Sequence, residues 1–586
     1  MFCLVFFIFA SFIFGFTIVA IIKSTQIQLF QRSFISWICG VQLTGFIIFV
    51  TSYFHEITSL HIFSVSFLEV LASILLFLRN AKRTKFSEIF VLEKSRYFYF
   101  LLLTILVIFS WYLKCIYFEF PNKINDVGIK IFQKEFSFIS SLKGINNRRS
   151  DFFGFKDPNC IFNKFNEPTF SLIYISCCTF LGGSYNIMSY FICLLNLIST
   201  ASFLFLYSLQ FLAPLSRVLL VFCFMFNGGI EFFTNLISGN GIKFKSFDLY
   251  HPVLHLMSFS KNASFSIPLS IIALAFIQNR YSSSSDLNLA LLLMLITPSF
   301  STSLSIFFIS SCYYKSLGKF IKFTPYFIFR YFLGNRFKII SLWVEPQMEG
   351  IFCSKFIVWI LMFGTPIIFL CYNIIFQKLK KLLKIFIPNF AIFLFFNLIR
   401  YGNGISDNCI ALYSAFLPQL LIIFIISLNR LFSYKSRNKQ LEGVSKFSAL
   451  FFYLTYIIGS IIILKNTINK THNSITEYDI DIGNVITKYV DNNSIILSKQ
   501  RFLSPISFLS GKQMILDNFT DSWRRNCDPT IAANIFRNIK ETQNCILQMK
   551  KYGIYYLLEE SQEPLCNLTS FNLLYSNSNW NFYKIK

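Results

Sequence analysis

Residues Lys114 to Pro168 read KCIYFEFPNKINDVGIKIFQKEFSFISSLKGINNRRSDFFGFKDPNCIFNKFNEP, a polar interval set between nearly pure apolar segments. Four apolar segments precede this interval and many follow it. This interval brings carboxylates, amides and arginines together. If the membrane part has a chemical centre, it is expected in this interval, which is called the acidic loop below.

The composition is that of a protein that crosses a membrane many times. Of 586 residues, 54% are hydrophobic and only 14% are charged, with a mean hydropathy of +0.56, whereas soluble domains carry about 25% charged residues. The apolar runs are near 20 residues long, enough to cross a hydrocarbon layer of ~30 Å as helices. They are continuous rather than alternating, which excludes barrel strands. The sequence therefore predicts an α-helical polytopic membrane protein with about 11 to 13 transmembrane helices.

Basic residues outnumber acidic ones, and their placement points to a membrane rather than to nucleic acid. The chain carries 53 Lys and Arg against 28 Asp and Glu, a formal net charge of +25. The basic residues fall in short clusters beside apolar runs, where the positive-inside rule places them. Nucleic acid is therefore not expected as a partner. The clusters are Arg79, Lys82, Arg83 and Lys85; Lys378, Lys380, Lys381 and Lys384; and Arg430, Lys435, Arg437 and Lys439.

The basic clusters also give the expected topology. A cytoplasmic loop ending at Arg96 makes the next segment cross outward, which places the acidic loop on the lumenal or extracytoplasmic side. Thr169–Leu181, which follows that loop, is short for a crossing and is a candidate re-entrant segment. Counting back from the Arg430 cluster puts everything after Leu464 on the external side too. The expected organisation is a transmembrane domain over 1–464 with the external loop 114–168, and a soluble lumenal or periplasmic α/β domain over 465–586.

In the C-terminal region, proline and glycine residues separate short helix and strand patterns, as in a small α/β domain. Thr530–Lys551 has helical apolar spacing, with Pro529 at its start and Gly553 at its end. Short strands are predicted around this helix, and a terminal hairpin after it. The predicted strands are Ser494–Leu497, Met514–Leu516, Ile554–Leu558, Asn572–Tyr575 and Asn581–Ile585.

Three cysteines lie in this polar C-terminal region: Cys527, Cys545 and Cys566. If the region is extracytoplasmic, they could include one disulfide. An unpaired set is the alternative, and the spacing does not decide between the two.

The acidic loop carries the groups that a transfer reaction at a membrane surface needs. A carboxylate can act as general base for an acceptor hydroxyl, and an arginine pair can hold a lipid-linked phosphate bidentately. Charged groups in a long solvated loop also need no function, and the two readings stay open on spacing alone. The acids are Glu119, Asp126, Glu135, Asp151, Asp157 and Glu167, and the arginines are Arg148 and Arg149.

Three further polar features are candidate functional sites. Asp407 lies in the compact turn Tyr401–Asn408, YGNGISDN, between two long apolar segments, as loops that face an active cleft do. Asp248, His251 and His255 form D-x-x-H-x-x-x-H, a spacing that could hold a divalent metal, although the proline between the histidines favours a structural role. Acids within predicted spans, Glu69 and Glu231, are functional candidates by default. No nucleotide-binding or metalloprotease motif is present, so ATP-driven transport by this chain alone is not expected.

Several short motifs resemble the GT-C superfamily of polytopic membrane glycosyltransferases. NDVG at Asn125–Gly128 is similar to the acidic motif of the first loop in that group, and FNGG at Phe226–Gly229 and GNGISDN at Gly402–Asn408 are similar to its turns. The C-terminal order of a strand, a Pro-Ile-Ser then Ser-Gly-Lys turn, a helix and the strand KYGIYYLL is similar too. The chain departs at Lys512, where arginine is usual, and in the first loop, where a paired acid or adjacent histidine is usual and only Asp126 stands.

The resemblance implies a GT-C-like fold and a transferase activity. A sugar would move from a polyprenyl-phosphate-linked donor to a lumenal or periplasmic acceptor, in the endoplasmic reticulum membrane of a eukaryote or the inner or plasma membrane of a bacterium. Asp126 would be the general base, Arg148 or Arg149 would hold the donor phosphate, and Asp407 would line the cleft. Membrane lipid and the polyprenyl-phosphate donor are the expected partners. No cofactor is expected, and a divalent metal stays open as the alternative. The alternatives are a transporter or lipid scramblase, or a catalytically inactive GT-C relative.

Overall fold

The structure is a computed structural model, and its secondary-structure elements are numbered below in chain order. It describes residues 2–22, 28–80, 95–118, 124–125, 138–142, 155–156, 164–165, 170–228, 252–277, 284–314, 339–342, 347–348, 351–352, 363–376, 380–401, 410–469, 471–472, 475–491, 493–499, 504–516, 530–541, 545–561, 565–566 and 568–586.

The membrane part is a bundle of apolar helices. Seven helices in the described part of the chain are long and apolar enough to cross a membrane, and five apolar helices are shorter. The prediction of an integral, multi-pass helical membrane protein is therefore confirmed, while the number of crossings stays a prediction. The helices are α1 Phe2–Ile22, α2 Leu29–Thr51, α3 Ser59–Asn80, α4 Arg96–Tyr117, α5 Phe170–Phe180, α6 Tyr185–Tyr207, α7 Pro214–Met225, α8 Val253–Phe259, α9 Lys261–Ile277, α10 Ser284–Ile296, α11 Phe300–Tyr314, α12 Thr365–Phe376, α13 Lys380–Leu398, α14 Leu417–Phe432 and α15 Lys439–Asn469.

The helix ends divide the bundle into two faces. The short strands described in this part of the chain are β1 Ile124–Asn125, β2 Phe155–Lys156, β3 Lys164–Phe165, β4 Ile339–Leu342, β5 Gln347–Met348, β6 Ile351–Phe352, β7 Ile399–Tyr401 and β8 Thr471–His472. Helix α4 ends at Tyr117, before β1, and helix α15 ends at Asn469, before β8. These two strands pair antiparallel, Ile124 with His472, so both helices end on one face, called the loop face. The opposite face, where α3 and α14 end, is called the basic face because two of the basic clusters follow those ends.

Helix α5 starts and ends near the loop face. Its first residue, Phe170, packs on the end of α2 that leads to the loop face, 5.8 Å from the ring of Phe49, and a side chain at Gly45 would overlap the Phe170 carbonyl group. Four residues separate the end of α5 from the start of α6. Tyr190, in the second turn of α6, lies 5.5 Å from Phe118 at the end of α4, ring to ring. Because α5 has 11 residues, about 16 Å of helix, it enters the bundle without crossing it, as expected for a re-entrant segment.

The C-terminal part builds a five-stranded mixed sheet with helices packed on it. The strand order is β10-β9-β11-β13-β12; β9 is parallel to β10 and β11, and β13 is antiparallel to β11 and β12. The five strands lie at the positions predicted from alternation and turn signals. The predicted helix over 530–551 is described as two helices. The elements are β9 Ile495–Ser498, β10 Gln513–Met514, β11 Ile554–Glu560, β12 Phe571–Ser576, β13 Trp580–Ile585, α16 Glu477–Tyr489, α17 Thr530–Glu541 and α18 Cys545–Lys551.

One disulfide closes this small domain. Cys545, at the start of α18, is bonded to Cys566, and Cys527 lies outside the described residues. The bond decides the question that the spacing of the three cysteines left open. Disulfides form in oxidising compartments, so the pair fits the external placement expected for this domain.

Loss of this disulfide is expected to destabilise the C-terminal domain. The two cysteines are 21 residues apart, and the chain entropy of a loop of that length corresponds to about 3 kcal/mol. Cys566→Ser should therefore lower the midpoint of domain unfolding in denaturant, as should reductant on the wild type. Cys371→Ser, at an exposed free cysteine, is the control and should leave the midpoint unchanged. Equal midpoints with and without reductant in the wild type would contradict the assignment.

Candidate functional site at the foot of the acidic loop

A buried lysine lies where the acidic loop leaves the bundle. Helices α8 and α9 are separated by Ser260 alone and form a hairpin, and Lys261 is the first residue of α9. Its side chain is 1% exposed. A charged group in an apolar bundle costs several kcal/mol unless polar groups hold it, so its contacts identify what the bundle is built to support.

The ammonium of Lys261 binds the last residue of α4. Its Nζ atom donates to the Tyr117 hydroxyl at 2.8 Å and to the sulfur of Cys193 in α6 at 3.3 Å. It also lies 4.9 Å from the centroid of the Tyr117 ring, within the range of a cation–π contact. Tyr117 in turn donates to the backbone carbonyl of Ser258 in α8. One cation thus ties together the ends of α4, α8 and α9 and the side of α6.

Neutral polar pairs extend this cluster deeper into the bundle. His255 in α8 contacts the Tyr112 hydroxyl in α4 through Nδ1 at 3.0 Å, and Asn196 in α6 donates to the Ser264 hydroxyl in α9 at 3.0 Å. All four side chains are buried. Interhelical hydrogen bonds of this kind fix the register of helices in a membrane. Lys261 is therefore held in place by a polar network and is not an isolated charge.

The FNGG turn positions the hairpin. The Asn227 side chain accepts from the backbone N–H of Val253 at 2.7 Å, which satisfies a free amide at the start of α8. A side chain at Gly228 would overlap the backbone of Ser460 in α15. Asn227 therefore contacts the start of the α8–α9 hairpin, and Gly228 allows close packing against α15, the helix that leads to the C-terminal domain.

The acidic loop is anchored to the C-terminal domain at two points. The first is the pairing of β1 with β8. The second is a short helix over 138–142, in which the Ser140 hydroxyl donates to the Phe508 carbonyl at 3.0 Å. Gly511 follows Phe508 closely, with φ of +66°, and a side chain there would overlap the Ser140 carbonyl. Two features therefore require glycine at position 511 of the Ser-Gly-Lys turn: the left-handed backbone conformation and the close contact with the acidic loop.

Gly511→Ala is expected to detach the loop from the domain. The left-handed conformation costs a non-glycine residue about 1 kcal/mol, and the overlap with Ser140 adds to that cost. Gly553→Ala is the matched control, because Gly553 has φ of +71° and no atom of the described residues lies within 4 Å of a side chain placed there. Limited proteolysis should cleave the acidic loop at least about tenfold faster in the Gly511 variant, a change in equilibrium of 1.4 kcal/mol or more. Equal cleavage rates in the two variants would contradict the contact.

Lys512 follows this glycine and is 2% exposed. Its backbone N–H donates to the Ile506 carbonyl at 3.1 Å, which closes the turn. Burial lowers the pKa of its ammonium. Lys512 therefore lies inside the contact between the turn and the domain, at the position where the resembling family has arginine.

The site residues predicted from the sequence lie outside the described residues: Asp126, Arg148, Arg149 and Asp407. The same holds for Glu231, Asp248 and His251. Their roles stay predictions. The described neighbour of Asp126 is Asn125, which β1 pairs with Thr471, so the chain is fixed one residue before the predicted general base.

Glu69 is a second buried charge, in the first three helices. Its carboxylate is 2% exposed, and one oxygen accepts from the Thr44 hydroxyl at 2.6 Å. The other oxygen has no hydrogen-bond partner among the described residues. His255, the described histidine of the D-x-x-H-x-x-x-H motif, contacts Tyr112 as stated above. In the described part of the chain, no three His, Cys, Asp or Glu side chains are grouped as metal ligands.

Lys261 was missed by reasoning from the sequence, which began the apolar segment three residues later, at Ser264. A lysine immediately before an apolar run resembles an ordinary interfacial anchor. The signal in the sequence was that Lys261 stands apart from the basic clusters, between Ser260 and a run that continues to Ile277. Two partners of its ammonium group are a tyrosine and a cysteine, and both residue types are common within apolar segments.

Comparison with solved structures gives distant similarities. AglB, an archaeal oligosaccharyltransferase from Archaeoglobus fulgidus in complex with an inhibitory peptide and a dolichol-phosphate, is 13% identical over 80% of this chain and 70% of its own, with a TM-score of 0.42. ArnT from Cupriavidus metallidurans, bound to undecaprenyl phosphate, is 9% identical over 83% of this chain and 97% of its own, with a TM-score of 0.45. The arabinofuranosyltransferase AftD from Mycobacteria is 10% identical over 82% of this chain and 41% of its own, with a TM-score of 0.44.

No protein-family model and no curated protein sequence matches the chain. At TM-scores below 0.5, the similarity is one of overall chain course.

Proposed function

We propose that this protein is a GT-C-type membrane glycosyltransferase, which moves a sugar from a polyprenyl-phosphate-linked donor to an acceptor on the loop face. The observation that carries the proposal is the bond between Lys261 and Tyr117, which is the last residue of α4 and belongs to the acidic loop. This bond puts a positive charge nine residues before Asp126, at the foot of the loop that holds the predicted general base.

The lysine supplies what a lipid-linked phosphate requires. A phosphate that stays near the membrane surface while its polyprenyl chain lies among apolar helices needs a cation at the same depth. Lysine binds phosphate as a point charge, and its attraction for an anion is strongest where water is scarce. In the proposal, Lys261 attracts the donor phosphate, and Arg148 or Arg149 holds it from the loop.

The transfer step uses the loop carboxylate. Asp126 takes the proton of the acceptor hydroxyl as the oxygen attacks the anomeric carbon of the sugar. The bond between that carbon and the phosphate oxygen breaks, and the polyprenyl phosphate leaves with the electron pair. The negative charge on the phosphate grows during this step, so the ammonium of Lys261 stabilises the transition state more than the ground state. Asp407 lines the cleft in this proposal.

The C-terminal domain holds the loop in its working position. The contacts of Ser140 with Phe508 and of Gly511 with Ser140 lie on the loop side of the domain. A general base must sit within hydrogen-bond reach of the acceptor, so the anchors contribute to orientation and not to the chemical step.

The activity is tested with the purified full-length protein in liposomes that contain a panel of polyprenyl-phosphate-linked sugars and acceptors with free hydroxyl groups. The expected result is release of polyprenyl phosphate together with labelled acceptor. Movement of the lipid or of a solute across the bilayer without any transfer would overturn the proposal. That result would favour transport, for which the buried Glu69 is the candidate.

A further inference from the structure

The basic face carries a groove that the proposed transferase chemistry does not use. A cavity of about 640 Å³ lies between α12, α14 and α15, a volume within the usual range for a site that binds a small molecule or lipid. The residues lining it are Thr365, Ile368, Phe369, Ser427, Arg430, Leu431, Tyr434, Ser445, Ser448 and Phe452.

One end of the groove is polar and lies at the membrane surface. Arg430 is in the last turn of α14, and Tyr434 follows that helix with 49% of its side chain exposed. Ser445, in the second turn of α15, donates to the Leu431 carbonyl at 2.7 Å, which leaves its oxygen able to accept. A guanidinium beside hydroxyl groups can bind a phosphate bidentately and add further hydrogen bonds.

The other end is apolar and open to the bilayer. Phe452 lies 5.3 Å from Phe369, ring to ring, and Ile368 is 55% exposed. Ser445 and Phe452 are seven residues apart on one helix, so the groove runs about 10 Å along α15. This length and lining fit the first part of a hydrocarbon chain. Deeper in the groove, the Thr365 hydroxyl is 4% exposed and has no partner among the described residues.

The charge around the polar end decides which headgroup fits. Arg430 is followed by Lys435, Arg437 and Lys439, and all four are exposed. The nearest acid along the chain, Glu442, is bound to Lys446 at 2.6 Å. The ligand must therefore be an anion with a hydrocarbon tail, on the side that the positive-inside rule makes cytoplasmic.

We propose that this groove binds an anionic phospholipid of the basic-face leaflet. Its phosphate binds Arg430 and the hydroxyl groups of Tyr434 and Ser445. One of its acyl chains lies along Ile368, Phe369 and Phe452. The site lies on the face opposite the acidic loop. It is therefore distinct from the proposed donor site, and either proposal can fail without the other.

The test measures lipid retention by native mass spectrometry of the full-length protein, released from nanodiscs of phosphatidylcholine with one-fifth phosphatidylglycerol. The wild type should retain phosphatidylglycerol in preference to phosphatidylcholine, and Arg430→Ala should lower that retention about tenfold. Arg437→Ala is the matched control, because Arg437 belongs to the same basic cluster and is exposed but does not line the groove. It should change retention less than twofold. Unfolding temperatures of both variants in phosphatidylcholine alone should equal that of the wild type, which separates lost binding from lost folding.

Three outcomes would overturn the proposal. Equal losses in the two variants would mean diffuse attraction to the basic cluster and no groove site. Displacement of the lipid by millimolar inorganic phosphate would mean a site for a free anion. Displacement by polyprenyl phosphate at a lower concentration than phosphatidylglycerol would mean a second donor site.

Discussion

Asp126→Asn is expected to lower the rate of sugar transfer by about 10²- to 10⁴-fold, the usual contribution of a positioned general base. The amide keeps the size of the side chain but cannot take the proton of the acceptor. Donor binding should persist, so kcat should fall and the KM for the donor should change little. Initial rates at varied donor concentration give both quantities.

The acidic loop supplies its own control for that variant. Asp151→Asn removes the same charge from the same loop, at a position outside the motif that resembles the GT-C acidic motif. It should keep transfer within about threefold of the wild type, since Asp151 has no role in the proposed transfer step. If the two variants were equally active, Asp126 would not be the base. If both were inactive, the loop would act through its total charge.

Lys261→Met is expected to raise the KM for the donor by about 10- to 100-fold, because a hydrogen bond to a charged group contributes roughly 1.5–3 kcal/mol. Methionine has a similar length and removes the charge that contacts Tyr117 and Cys193. A fall in kcat is expected beside the rise in KM, since the charge on the phosphate grows during transfer. Steady-state kinetics on the purified variant separate the two effects.

A structural role for the same lysine predicts a different outcome. If Lys261 acts on the donor and not on the fold, the unfolding temperature of the variant should stay close to that of the wild type, because an apolar side chain of similar volume can replace a buried charge at little cost in stability. Lys114→Met is the control: Lys114 is on the last turn of α4 like Tyr117, but its side chain is exposed. It should leave KM and kcat within about twofold of the wild type. If Lys261→Met lowered stability without a specific rise in KM, Lys261 would support the fold and not the donor.

The C-terminal domain was the more predictable half of the fold, because its strands are short apolar or aromatic runs bounded by turn residues. The strand Ile554–Glu560 follows Gly553, whose positive φ ends the preceding helix. The disulfide was not predictable in the same way. Three cysteines allow three pairings, and only the tertiary arrangement brings Cys545 to Cys566.

The membrane helices were predictable as hydropathy but not as architecture. Long segments such as Leu29–Thr51 are recognised in the sequence by their length and hydropathy. The hairpin of α8 and α9 does not, because Val253–Phe259 is too short to register as a span and its start depends on a distant contact with Asn227. Lys261 was missed for the same reason: its partners Tyr117 and Cys193 come from two other helices, α4 and α6.

Reasoning about the site from sequence favoured charged residues in loops. It found the acidic loop, and the structure joins this loop to the C-terminal domain through Ile124 and Ser140. It did not find the polar network below the loop, which uses Tyr117, Cys193 and His255. Such residues are common in apolar segments. Their role can be recognised only when it is known which helices pack together.

The most direct test of the account is to locate the phosphate of a polyprenyl phosphate in the full-length protein by cryo-electron microscopy in nanodiscs. The account predicts that the phosphate lies on the loop face, within hydrogen-bond reach of Lys261 or one water away, with the Asp126 carboxylate facing the same cavity. A phosphate bound on the loop face but away from Lys261, or an Asp126 side chain turned out of that cavity, would contradict it.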